Sequence, residues 1–157
     1  KEYNNRWYLV GAAYDTDKIL TFALDRIKSI EVLTGYLYHD PPYNLLERYE
    51  EIIGISIYEG EDLNKIIFWA SDRSAPYINT KPLHGSQISI RGKHELSVRE
   101  RYDVPSGGSL FSIECKKNYE LIRELCSYGG ELKVLSPQPI VTAVKEWVKS
   151  IRDLYGM

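Results

Sequence analysis

The side chains able to carry chemistry are His39, His84, His94, Cys115, Cys126 and a spread of cations, and their spacing decides what they can do together. The histidines and cysteines show neither helical nor hairpin ligand spacing, so no zinc site is expected. His39-Asp40 and His94-Glu95 are sequence neighbours, and adjacency alone does not aim a base at a nucleophile. Gly107-Gly108 falls between two extended stretches instead of opening a helix, so it does not make a phosphate loop. Cys126 lies on an apolar helical stripe and reads as a buried, inert thiol. These patterns predict no enzyme, no metal and no cofactor.

The cations point to binding. Arg26 offers five donors in a rigid fork that matches a phosphate bidentately, although at a strand end it can equally pair with Asp25 or brace a turn. In Arg6-Trp7-Tyr8-Leu9, alternation puts Trp7 and Leu9 on one face, read as core, and Tyr8 on the other. Tyr8 can then stack on a base or serve as an ordinary cross-strand partner. Arg6 reads as solvated or as a rim phosphate contact. Residues 81–101 gather Lys81, Arg91, Lys93, Arg99 and Arg101 near His84 and His94. That bias suits either a groove tracking a phosphate backbone or an edge strand guarded by charge.

Composition bounds the partners. The 157 residues hold 20 Lys+Arg against 22 Asp+Glu, a net charge of −2, with 43% hydrophobic residues. This suits a folded chain of one or two small domains and argues against a surface coated in positive charge. Two cysteines without C-x-x-C spacing suggest a reducing, cytoplasmic setting, and no apolar run is long enough to cross a membrane. A chain that opens on Lys1 reads as a piece of a longer protein.

The elements that must position these groups form a mixed α/β (α+β) arrangement. Strands are expected at 6–10, at 20–24 after the turn Asp15-Thr16-Asp17-Lys18, and at Ile30-Val32-Leu33. Three strands with one apolar face make a small curved sheet or part of a barrel. The breaker His39-Asp40-Pro41-Pro42 ends this module, residues 1–42. Residues 43–64, with one basic and six acidic side chains, read as an acidic linker. Residues 65–157 predict a second module of order β-α-β-β-α-β-α with helices on one sheet face. It has a strand at 65–70, a helix capped by Asp72, and extended segments at 87–101 and 109–115. A helix capped by Asn118 follows, then a strand at 132–135, and a last helix that starts at Ser136-Pro137.

Arg6-Trp7-Tyr8-Leu9 followed by Thr21-Phe22-Ala23-Leu24-Asp25-Arg26-Ile27 resembles the WYL domain, which is named for its Trp-Tyr-Leu strand and continues into an F-x-L-D-R-I strand. His84-Gly85-Ser86-Gln87, Asn118-Tyr119-Glu120-Leu121 and the run Ser127 to Pro137 look like that family's C-terminal extension. The resemblance implies a partial Sm/SH3-like β-barrel followed by the extension. It further implies the ligand-sensing and dimerisation region of a bacterial transcriptional regulator. Its ligand would be a nucleotide or single-stranded nucleic acid, its state a homodimer, and operator DNA would be met through a helix-turn-helix outside this chain. An alternative is an accessory module of a nucleic-acid-targeting defence complex. Arg26, Tyr8, Arg6, Lys28 and His84 are the candidate ligand-binding residues, although His84, with Gln87 in the H-x-S-Q segment, reads more readily as structural. The family tends to carry further arginines around the second strand, where Leu20 and Ala23 stand here. Binding through few phosphates, about two to four, is expected.

Overall fold

A computed structural model of the chain describes residues 1–13, 16, 18–38, 40 and 44–156. The turn expected at 15–18 and the breaker at 39–42 lie largely outside these residues. The chain divides into two compact units, Lys1–Tyr49 and Glu50–Met157, and it is mixed α/β with two antiparallel sheets.

In the first unit β1 (Glu2–Tyr3), β2 (Arg6–Ala12) and β3 (Ile19–Ala23) form a sheet in that order. Asn4 and Asn5 both adopt positive φ, 50° and 61°, in the two-residue turn that joins β1 to β2. Asparagine tolerates this left-handed conformation, and such a turn matches the twist of a hairpin. β2 pairs antiparallel with β3, Tyr8 opposite Ala23 and Leu9 opposite Phe22. The sheet does not close into a barrel among the described residues.

Two expectations change here. Trp7 and Leu9 share a face as predicted, but they are not core: they are 61% and 53% exposed, beside half-exposed Leu20 and Phe22. No described element of the unit covers that face. Ile30, Val32 and Leu33 form no strand and are exposed. The β-preference of such residues is a preference for a half-buried pleated surface, and no described strand pairs with them to create one. The unit's described residues end with α1 (Leu45–Glu50), whose last residue belongs to the second unit.

The second unit holds β4 (Leu63–Ala70), α2 (Ala75–Thr80), β5 (Ile88–Ile90), α3 (Gly92–Arg101), β6 (Ser109–Lys116), α4 (Tyr119–Ser127), β7 (Leu132–Ser136) and α5 (Gln138–Tyr155). The sheet order is β5-β6-β4-β7, all antiparallel. Ile66, Phe68, Phe111, Ile113 and Val134 face one way and are covered by Ile78 of α2, Leu121 and Leu125 of α4 and Ile140 of α5. Phe68 and Phe111 lie opposite each other with stacked rings 5.5 Å apart. Trp69, Ile90 and Leu110 face the other way and meet Val98 of α3.

α3 is an addition to the expected order, and it takes the face opposite the other helices. Residues 92–101 are helical because Gly92 (φ +62°) turns the chain out of β5 and the i,i+4 pair Glu95–Arg99, at 3.0 Å, ties successive turns. Asp72 does not cap α2. The Ser71 hydroxyl accepts from the Ser74 amide, while Asp72 accepts from the Gly108 amide at 3.0 Å. Asn118 caps α4 as expected, accepting from the Leu121 amide at 2.8 Å. Ser136 ends β7 and Pro137 takes the cap position of α5.

The acidic stretch is more than a connection. Ile52, Ile53 and Ile55 are buried, and Asn118 donates to the Ile53 and Ser56 carbonyls at 2.8 and 2.9 Å. Gly54 (φ +86°) lies against the Glu120 side chain, 2.5 Å from where a Cβ would stand, so any larger residue collides there. Ser56 donates to Glu120 at 2.8 Å.

Candidate functional site

β2, β3 and the helical turn after β3 build one cleft of about 480 Å³, lined by Arg6, Tyr8 and residues 21–23 and 26–29. Alternation along β2 aims Arg6 and Tyr8 at it. The turn Leu24–Arg26 swings the chain so that Arg26 and Lys28 join them. Ala23, opposite Tyr8, leaves the space above the strand pair open for the half-buried Tyr8 ring. The Thr21 hydroxyl lies 3.4 Å from the Tyr49 hydroxyl.

Four of the five expected residues therefore converge: Arg6, Tyr8, Arg26 and Lys28. Asp25 pairs with Arg6, at 3.1 Å, and not with Arg26. Arg26 and Lys28 make no ion pair among the described residues, so the cleft keeps two uncompensated cations beside an aromatic ring. Thr21, Ile27 and Ser29 also line it. Sequence reading passed over them because neither the small polar Thr21 and Ser29 nor the apolar Ile27 signals a ligand site until the turn brings them together.

His84 is not among the lining residues. Its Nδ1 meets the Ser86 hydroxyl at 2.7 Å and accepts from the Ser86 amide at 3.2 Å, which ties a turn. Burial pushes its pKa down. Ser86 and Gln87 extend that tie, to the Glu114 carbonyl and to the Ile78 carbonyl. The basic segment 81–101 is partly spent on structure too. Arg99 holds Glu95 and donates to the carbonyls of Pro105, Gly107 and Gly108. Arg101 lies over the Tyr102 ring.

Cys115 is fully buried, and its thiol is pushed up to about 12 by burial; Cys126 is half-buried. Among the described residues no cluster of His, Cys, Asp or Glu stands close enough to hold a metal, and no helix is long and apolar enough to cross a membrane.

The WCX domain family model matches residues 65–152, and the WYL domain model matches residues 1–32. The chain belongs to this family: it is a WYL segment followed by a WCX domain. Among solved structures it is similar to proteasome accessory factor B/C (PafBC) of Arthrobacter aurescens, with 22% identity over 94% of this chain and a TM-score of 0.36. The chain spans 20% of the length of that one. No curated protein matches the chain.

Proposed function

We propose that this chain is the ligand-sensing region of a WYL-type transcription regulator working in the cytoplasm, and that its cleft takes a nucleotide or a short single-stranded nucleic acid. The observation that carries the proposal is the pair of cations without an ion-pair partner among the described residues, Arg26 and Lys28, beside Tyr8 in one cleft. A guanidinium fork suits a phosphate, and the tyrosine ring offers a base its stacking face. Among the described residues the lining holds no carboxylate, histidine or cysteine, which favours binding over catalysis. Control would follow from linkage: a ligand that binds one arrangement better shifts the whole protein, including a helix-turn-helix outside this chain, toward it.

Affinity for a single-stranded oligonucleotide should fall gently with salt. With two to three cations available, the slope of log K against log[salt] is expected to be about −1.4 to −2. Titrating short DNA, RNA and nucleotides across salt concentrations measures it. A slope beyond about −5 would place binding on a far larger basic surface than this cleft.

We further propose a homodimer that hides the face bearing Trp7, Leu9, Leu20 and Phe22, all 41–61% exposed. Sedimentation should show a dimer that Trp7→Lys dissociates. A monomeric wild type, or a dimer indifferent to that change, removes this contact.

A further inference from the structure

We propose that the free edge of β7 docks an extended peptide that carries alternating apolar side chains and an acidic residue, added as a fifth strand to the four-stranded sheet. β7 is the last strand in the order β5-β6-β4-β7, and no described strand pairs with its outer side. A cleft of about 290 Å³ follows that side. Its lining includes Leu132, Val134, Val141 and Val144, which belong to the face covered by α5, and Leu135 and Tyr102, which belong to the face covered by α3. Residues from both faces of one strand line a single cavity where the cavity wraps the strand's edge. Strand addition uses this geometry: main-chain hydrogen bonds give affinity, and alternate side chains dropped to either face give specificity.

Exposed edges are ordinarily blocked by charge, proline or a bulge. The charged residue of β7 is Lys133, and its ammonium is held by Asp103, 2.6 Å from the carbonyl and 2.8 Å from the carboxylate. Pro137 lies beyond the strand's end. The rim carries Lys133 and Lys145 against Asp103 alone, and Lys145 makes no ion pair among the described residues. That surplus of positive charge selects the occupant. A second copy brings no acidic residue on its own β7, which reads Leu-Lys-Val-Leu-Ser, and two-fold antiparallel pairing about Lys133 opposes two like charges directly, an arrangement that destabilises cross-strand pairs. An incoming acidic residue meets Lys145, the rim cation without an ion pair among the described residues, favourably.

The test is an amide-resolved NMR titration of the ¹⁵N-labelled chain. The probe is a pool of acetylated, amidated heptapeptides with Val, Ile, Leu or Phe at every second position, Glu at the third and Thr elsewhere. Amides of residues 132–136, Tyr102 and Val141–Lys145 should shift. A pool with Lys in place of Glu should bind about fivefold to tenfold more weakly, the size of a rim charge reversal. A pool N-methylated at alternate backbone nitrogens should not bind. Val144→Glu should abolish the shifts while the β4 and β6 amides keep their positions, which shows that the variant is folded. Absence of binding at millimolar peptide, equal binding of the N-methylated pool, or a peptide-independent dimer that Val144→Glu breaks would each overturn the proposal.

Discussion

Asn118→Ala is expected to cost the Glu50–Met157 unit about 3–5 kcal/mol, a large share of the roughly 5–15 kcal/mol that stabilises a domain. Asn118 is 2% exposed, and one amide group serves three partners: Nδ2 donates to the Ile53 and Ser56 carbonyls, and Oδ1 accepts from the Leu121 amide. Removing it deletes an N-cap, about 1 kcal/mol, and strands buried backbone groups at about 1–3 kcal/mol each. Asn118→Asp separates the two roles. It keeps the cap acceptor but loses both donations and turns a carboxylate toward two carbonyls, so it should be no better than alanine. Urea unfolding followed by circular dichroism measures both variants. If Asn118→Asp proved as stable as wild type, the residue would be reduced to a helix cap and the 51–56 stretch would be tied by other contacts.

The second large effect falls on binding. Arg26→Ala should weaken nucleotide or oligonucleotide affinity about 10- to 100-fold, the worth of a charge-assisted bidentate contact. Its melting temperature should hardly move, since Arg26 is exposed and has no ion-pair partner among the described residues. Arg26→Lys keeps the charge without the fork and should lie between. Arg6→Ala breaks the Asp25 pair, but that pair is largely exposed and contributes about 0–1 kcal/mol. A large loss of melting temperature with unchanged affinity for Arg26→Ala would make Arg26 a structural residue.

The cleft was legible because strand alternation is a strict rule: once Arg6-Trp7-Tyr8-Leu9 is a strand, Arg6 and Tyr8 must share a face. Its remaining wall depends on the turn Leu24–Arg26, which no periodicity announces. α4 was legible from the Asn118 cap and the Leu121, Ile122, Leu125 stripe, two local signals that agree. α3 was not, because its surface is almost wholly polar. Lys93, Glu95, Arg99 and Glu100 read as a charged edge, and the Glu95–Arg99 spacing was the one helical clue. Burial of Trp7 and Leu9 was misjudged for a different reason. Alternation tells which residues share a face, and only tertiary packing tells whether anything covers it. The hairpin at Asn4-Asn5 carried a usable turn signal that the reading of the first strand began too late to include. His84 was placed by resemblance, and its ring is held by Ser86, whose hydroxyl is tied on to the Glu114 carbonyl, which gives it a structural post.

The central claim is that ligand lands on the β2–β3 face at Arg26, and amide chemical-shift mapping with deoxythymidine pentanucleotide and with nucleoside monophosphates tests it directly. Binding in the cleft predicts shifts at Tyr8, Ala23, Arg26 and Lys28, lost in Arg26→Ala, with the amides of residues 81–101 unmoved. Shifts confined to residues 81–101, or saturable binding that leaves Tyr8 through Lys28 unperturbed, would contradict it.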